Sequence, residues 1–150
     1  MHVKTILTAA SLLFLAATAH ADLEPFTDYE ASDEVYLVTT IKVDSTMEDV
    51  YLEGLKQTWI PGQEAAKKLG HINDYAIYRS QFSESGDFNL ILVVTLDSAA
   101  DLQPSKDRYN AMMEEFGKQR AEAATEFAQK NYPAMREITG DYMMRRITIK

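Results

Sequence analysis

The longest apolar run after the first twenty residues is Phe88–Asp97, FNLILVVTLD, and it is hydrophobic on both alternating faces. Phe88, Leu90, Leu92, Val94 and Leu96 point one way, Ile91 and Val93 the other. A half-exposed antiparallel strand alternates apolar with polar, so this run predicts a strand covered on both sides. Val35–Val43 (VYLVTTIKV) is a second strand, dense in β-branched residues. Its more apolar positions are Val35, Leu37, Ile41 and Val43, with Tyr36, Thr40 and Lys42 on the opposite face. Ile72–Phe82 alternates with period two and reads as a third strand, joined to Phe88–Leu96 by a hairpin loop at Ser83–Asp87. Tyr142–Ile149 (YMMRRITI) is the fourth, with a bend at Gly140 just before it.

Two segments carry helical spacing instead. Ser45-Thr46-Met47-Glu48 is a capping-box pattern, and Met47, Val50, Tyr51, Leu55, Thr58 and Trp59 follow it along one stripe. Pro61-Gly62 is expected to interrupt that helix, which resumes over Gln63–Leu69 and stops at Gly70. Ser98 and Asp101 can cap a short turn that Pro104 separates from the next helix. Tyr109, Met112, Met113, Phe116, Arg120, Ala124 and Phe127 then predict one long helix over about Ser105–Lys130, ended by Asn131-Tyr132-Pro133. Asp22–Asp33 is acidic and aperiodic, and reads as a loose lead-in.

The order is β-α-β-β-α-β, which places the chain in the α+β class. A split βαβ unit of this kind forms a four-stranded antiparallel sheet, strand order 4-1-3-2, with both helices on one face. The helices cover one face of Phe88–Leu96. Nothing else in 150 residues covers the other, so a second copy of the chain is the expected partner.

The element order, the Trp59–Pro61 break and GHINDYAIYR at 70–79 resemble the dimeric α+β barrel superfamily, over about Glu34–Lys150. The resemblance implies a ferredoxin-like fold at 34–150 and a homodimer whose two sheets enclose a shared interior. The chain is similar to small exported members of unassigned function. The superfamily also includes cofactor-free quinol-type monooxygenases and haem enzymes with an axial His, usually on the second helix. No His lies between Ser105 and Lys130, so no cofactor is expected.

Composition narrows the remaining possibilities. Lys4, the apolar stretch Ile6–Ala17 and the small-x-small site Ala19-His20-Ala21 form the three-part pattern of a secretory signal peptide, cleaved after Ala21. The apolar stretch is shorter than the roughly 20 residues that span a bilayer. A periplasmic or secreted location is therefore expected, without a membrane anchor. Removing this segment takes away one base and no acid, so the formal charge falls from −8 to −9. Such a chain repels nucleic acid and anionic lipid, and neither is an expected partner. It has no cysteine, which excludes disulfides, a thiol nucleophile and Cys-ligated metal.

Candidate site residues are few. His71 could bind a ligand or shuttle a proton, although a lone His in a helix-ending loop is more simply a surface residue and a poor metal site. Trp59 could line a pocket at the helix break or simply pack the helix on the sheet. Tyr36, Tyr78, Arg79 and Arg145 include groups that must face away from the helices, where an acidic or phenolic small molecule could meet them. Pairing of the arginines with acids at a dimer rim is the simpler alternative. The expected function is binding of a small apolar or aromatic molecule, with no metal and no assigned catalysis. A cofactor-independent quinol-type monooxygenase and a solid, ligand-free dimer are the alternatives.

Overall fold

Leu90, Leu92 and Leu96 are buried against helices, whereas Ile91 and Val93 on the opposite side of the same strand stay half-exposed. Among the described residues of a single chain, the two-faced apolar strand is thus covered on one face only. The computed structural model describes residues 22–82 and 86–150. The predicted signal peptide, 1–21, and residues 83–85 of the Ser83–Asp87 loop lie outside the described residues.

The elements run β1 (Tyr29–Val43), α1 (Glu48–Gln57), α2 (Trp59–Lys68), β2 (Asp74–Arg79), β3 (Leu90–Leu96), α3 (Lys106–Phe116), α4 (Lys118–Asn131) and β4 (Arg136–Ile149). The sheet is antiparallel throughout, in the order β2-β3-β1-β4, which is the ferredoxin-like arrangement expected from the pattern. Paired residues share a face, so the register sorts every side chain. Val35, Leu37 and Ile41 stand with Leu96, Val94 and Leu90 on the helix side. There Ile41, Val43, Tyr51, Leu55, Leu90, Leu92 and Tyr132 form the buried core.

Several boundaries move for identifiable reasons. β1 begins at Tyr29, inside the segment expected to be a loose lead-in, because Tyr29, Glu30 and Ala31 pair with Ile149, Thr148 and Ile147. The Ser45 capping box does not form. Asp44 instead caps the turn through the backbone N–H of Thr46, and Glu48 is used elsewhere. The break in the first helix falls at Thr58, not at Pro61-Gly62. Pro61 has no N–H to donate, so it is tolerated only in a first turn, and the chain meets that need by restarting the helix at Trp59. The predicted long helix is two helices, divided at Gly117, whose φ of 87° is available to glycine at little cost. β4 starts at Arg136, and Gly140 lies within it at a register shift opposite Thr40. A Cβ at Gly140 would run into the ring of Tyr142.

Ser98 and Asp101 do form a reciprocal capping box, on a single turn at Ala99–Leu102. Ser105 caps α3 by accepting from the backbone N–H of Arg108. Among the described residues no helix is long and apolar enough to cross a membrane.

Candidate functional site

α1 lies directly on the sheet through Tyr51 and Leu55, both essentially without solvent exposure. The second helical pair does not lie so close. α4 contributes no fully buried residue, and it turns the small side chains Ala121, Ala124 and Ala128 inward. Between this pair and the sheet a cavity of about 400 Å³ remains, within the range of small-molecule sites. Tyr51, Leu55, Thr58 and Trp59 form one wall, and Met112, Met113 and Phe116 of α3 another. Leu92, Tyr132 and Arg136 complete it at the sheet and at the entry to β4.

Most of this lining is apolar, and its polar groups are concentrated at one end. Tyr132 sits at the centre of an aromatic group, edge-on to Tyr51 at 4.9 Å and to Phe127 at 6.0 Å. Its hydroxyl lies 2.5 Å from Thr58 Oγ1, which itself donates to the Gly54 carbonyl at 2.9 Å. Thr58 has only one hydroxyl proton, so Tyr132 is the donor between the two. Gly54 permits this approach, since a Cβ there would lie 3.0 Å from the Tyr132 ring. The hydroxyl of Tyr51 is buried and has no hydrogen-bond partner among the described residues. Burial pushes its pKa up to about 12, against a small opposing pull from Arg136. Burial also raises Tyr132, with Thr58 and Arg136 drawing it back.

Arg136 covers both tyrosines. Its guanidinium carbon is 5.3 Å from the Tyr51 ring centre and 4.9 Å from that of Tyr132, within cation–π range. The Thr58 and Tyr132 hydroxyl protons are already used within the protein, which leaves the Arg136 guanidinium as the uncommitted donor at this end of the cavity. None of the lining residues is an acid or a histidine.

The residues singled out from the sequence are dispersed. Trp59 lines the cavity and packs edge-on against Tyr75 at 5.4 Å. Tyr36 and Tyr78 lie on the open face of the sheet, in rows defined by Thr95 and Ile91. Those rows are four residues apart along the strands, or about 13 Å. The Tyr36 hydroxyl donates to Glu34, and this bond raises its pKa. Arg79, next to Tyr78, is on the helix side and pairs with Glu48 at 2.6 Å, clamping β2 to the start of α1. Arg145 stands opposite Val35, also away from the open face, and donates to the carbonyls of Ser32 and Asp33. His71 ends the turn after α2, its carbonyl accepting from Arg108 at 2.7 Å. Burial and the Arg108 charge lower its pKa. Among the described residues no group of three or more His, Cys, Asp or Glu is close enough to share a metal ion.

The sequence reading passed over the residues that converge. Tyr51 and Thr58 were visible only as members of a helical stripe, and Tyr132 only as part of a helix stop. Arg136 lies in a stretch with no pattern of its own.

The fold has counterparts of known structure. A Nipsnap family protein with unknown function from Agrobacterium tumefaciens is 16% identical, with 75% of this chain and 87% of that one covered at a TM-score of 0.47. HapK from Hahella chejuensis is 9% identical over 75% and 91%, at 0.44. A dimeric ferredoxin-like protein of unknown function from Thermobifida fusca is 11% identical over 78% and 92%, at 0.38. The likeness is one of fold. No family model and no curated protein sequence matches the chain.

Proposed function

We propose that this protein binds a small, largely apolar or aromatic molecule in the cavity between its second helical pair and its sheet. The supporting observation is that cavity itself: about 400 Å³, apolar over most of its lining, with the Arg136 guanidinium at one end. This moves the binding site from the open sheet face, where the sequence reading placed it, to the helix side. Trp59 is the single tryptophan of the chain and lines the cavity, which makes it a built-in energy donor. Neutral N-phenyl-1-naphthylamine is expected to emit under tryptophan excitation, saturating at one probe per chain. Ala124→Phe, which puts a ring into the cavity from α4, is expected to abolish that signal without unfolding the protein. A probe signal that does not saturate, or that Ala124→Phe leaves unchanged, counts against this site.

The reading includes a homodimer formed through the open face. Its central row, Ala76, Val93, Val38 and Tyr142, is apolar, with Ile91 and Met144 beside it. Tyr78, Tyr142 and Met144 are more than half exposed in the single chain. Burial of such a strip against its copy is the simplest way to remove it from water. Light scattering is expected to return twice the chain mass, and Val38→Lys is expected to return the monomer. A monomeric wild type refutes this part. Export is proposed on the pattern of Met1–Ala21 alone; the mature protein is expected to begin at Asp22 by mass spectrometry, and retention of Met1–Ala21 refutes it.

A further inference from the structure

We propose that the cavity selects molecules carrying a single carboxylate, and that Arg136 is the residue that selects them. The inference rests on the cavity being a binding site, and extends it to the chemistry of the ligand head.

The state of the guanidinium carries it. Arg79 and Arg108 are ion-paired, and Arg145 is hydrogen-bonded to two carbonyls. The Arg136 side chain, like those of Arg120 and Arg146, has neither an ion pair nor a hydrogen bond among the described residues, but it alone of the three lines a space without acids. It is only partly exposed, and it is oriented by the Tyr51 and Tyr132 rings. An arginine held by stacking keeps its N–H edge free, and that edge matches a carboxylate in two parallel hydrogen bonds. The same side chain lines a second cavity of about 320 Å³, bounded by Pro133 and Ile138, so it stands between two spaces. An apolar body in the larger space leaves its head at that wall.

The surrounding chemistry agrees. The Tyr51 hydroxyl is fully buried and lacks an acceptor. No acid lines either space, so nothing there would repel an anion or neutralise the guanidinium. In a chain of formal charge −8 this is a local exception. A carboxylate supplies the counter-charge that the guanidinium lacks.

Two isosteric probes separate the ligand head from its body: naphthalene-2-carboxylate and naphthalene-2-carboxamide, titrated by calorimetry into the full protein. The carboxylate is expected to bind roughly tenfold or more tightly, and its advantage is expected to shrink as salt is raised. Arg136→Gln is expected to abolish the preference while leaving amide affinity in place. Arg136→Lys keeps the charge but loses the stacked fork, and is expected to retain a reduced preference. Equal binding of the two probes overturns the head-group assignment and leaves the cavity standing. A preference that survives in Arg136→Gln also overturns it. Failure of both probes to bind overturns the cavity reading beneath it.

Discussion

Asn89→Leu is expected to lower stability by about 3 kcal/mol or more, the largest single effect outside the apolar core. Asn89 precedes β3 and is buried, yet its side chain acts as a piece of backbone. Its Oδ1 accepts from the Val43 N–H at 2.8 Å and its Nδ2 donates to the Val43 carbonyl at 2.8 Å. Nδ2 also donates to Glu48 at 3.0 Å, the same carboxylate that pairs with Arg79. One amide thus closes the end of β1, the start of β3 and the first turn of α1. Leucine has similar bulk but leaves both Val43 groups buried and unpaired, at roughly 1–3 kcal/mol each. Asn89→Asp is expected to fare no better, because it loses the donor to the Val43 carbonyl and sets a second carboxylate beside Glu48. Urea midpoints measured with unchanged slope would show this. A loss under about 1 kcal/mol for Asn89→Leu would mean the bridge is not formed.

Tyr51→Phe is expected to move stability the other way, up by about 1–2 kcal/mol. Most tyrosine truncations in a core destabilise, but here the hydroxyl is buried without a partner among the described residues and bears that desolvation cost. The phenyl ring keeps its edge contact with Tyr132 and its face toward Arg136. A site that carries an unsatisfied polar group ready for a ligand trades stability for binding. Thermal or urea unfolding without ligand decides it, and a loss of stability would show that the hydroxyl is already satisfied in solution.

Much of the fold was legible because it depends on periodicity. The two-faced run at Phe88–Leu96, the β-branched run at Val35–Val43 and two helical stripes were enough for the β2-β3-β1-β4 order. What escaped depends on single residues. Gly117 breaks a stripe whose apolar spacing continues across it, so periodicity alone reads one helix where there are two. Tyr29–Asp33 is rich in acids and poor in strand formers, and becomes a strand only because the end of β4 is there to pair with it. Asn89 is hidden within the apolar run itself, its role set by a partner 46 positions away.

The site was less legible than the fold. Trp59 was found because it is large and lies at a helix break. Tyr51 and Thr58 share one helical stripe and Tyr132 and Arg136 lie four residues apart, but no spacing in the sequence links the two stretches. The cavity arises from a mismatch of size, with alanines of α4 facing Met112, Met113 and Phe116 of α3 across the gap. Each alanine alone reads as an ordinary helix former.

The methionines offer the most direct test of where a ligand binds. Met112 and Met113 line the helix-side cavity, whereas Met143 and Met144 lie more than half exposed on β4, with Met144 on the open face. With ¹³C-methyl methionine, titration of naphthalene-2-carboxylate is expected to shift the Met112 and Met113 resonances saturably and leave Met143 and Met144 unmoved. Shifts at Met144 with none at Met112 and Met113 would place the ligand between two sheets and contradict the helix-side site.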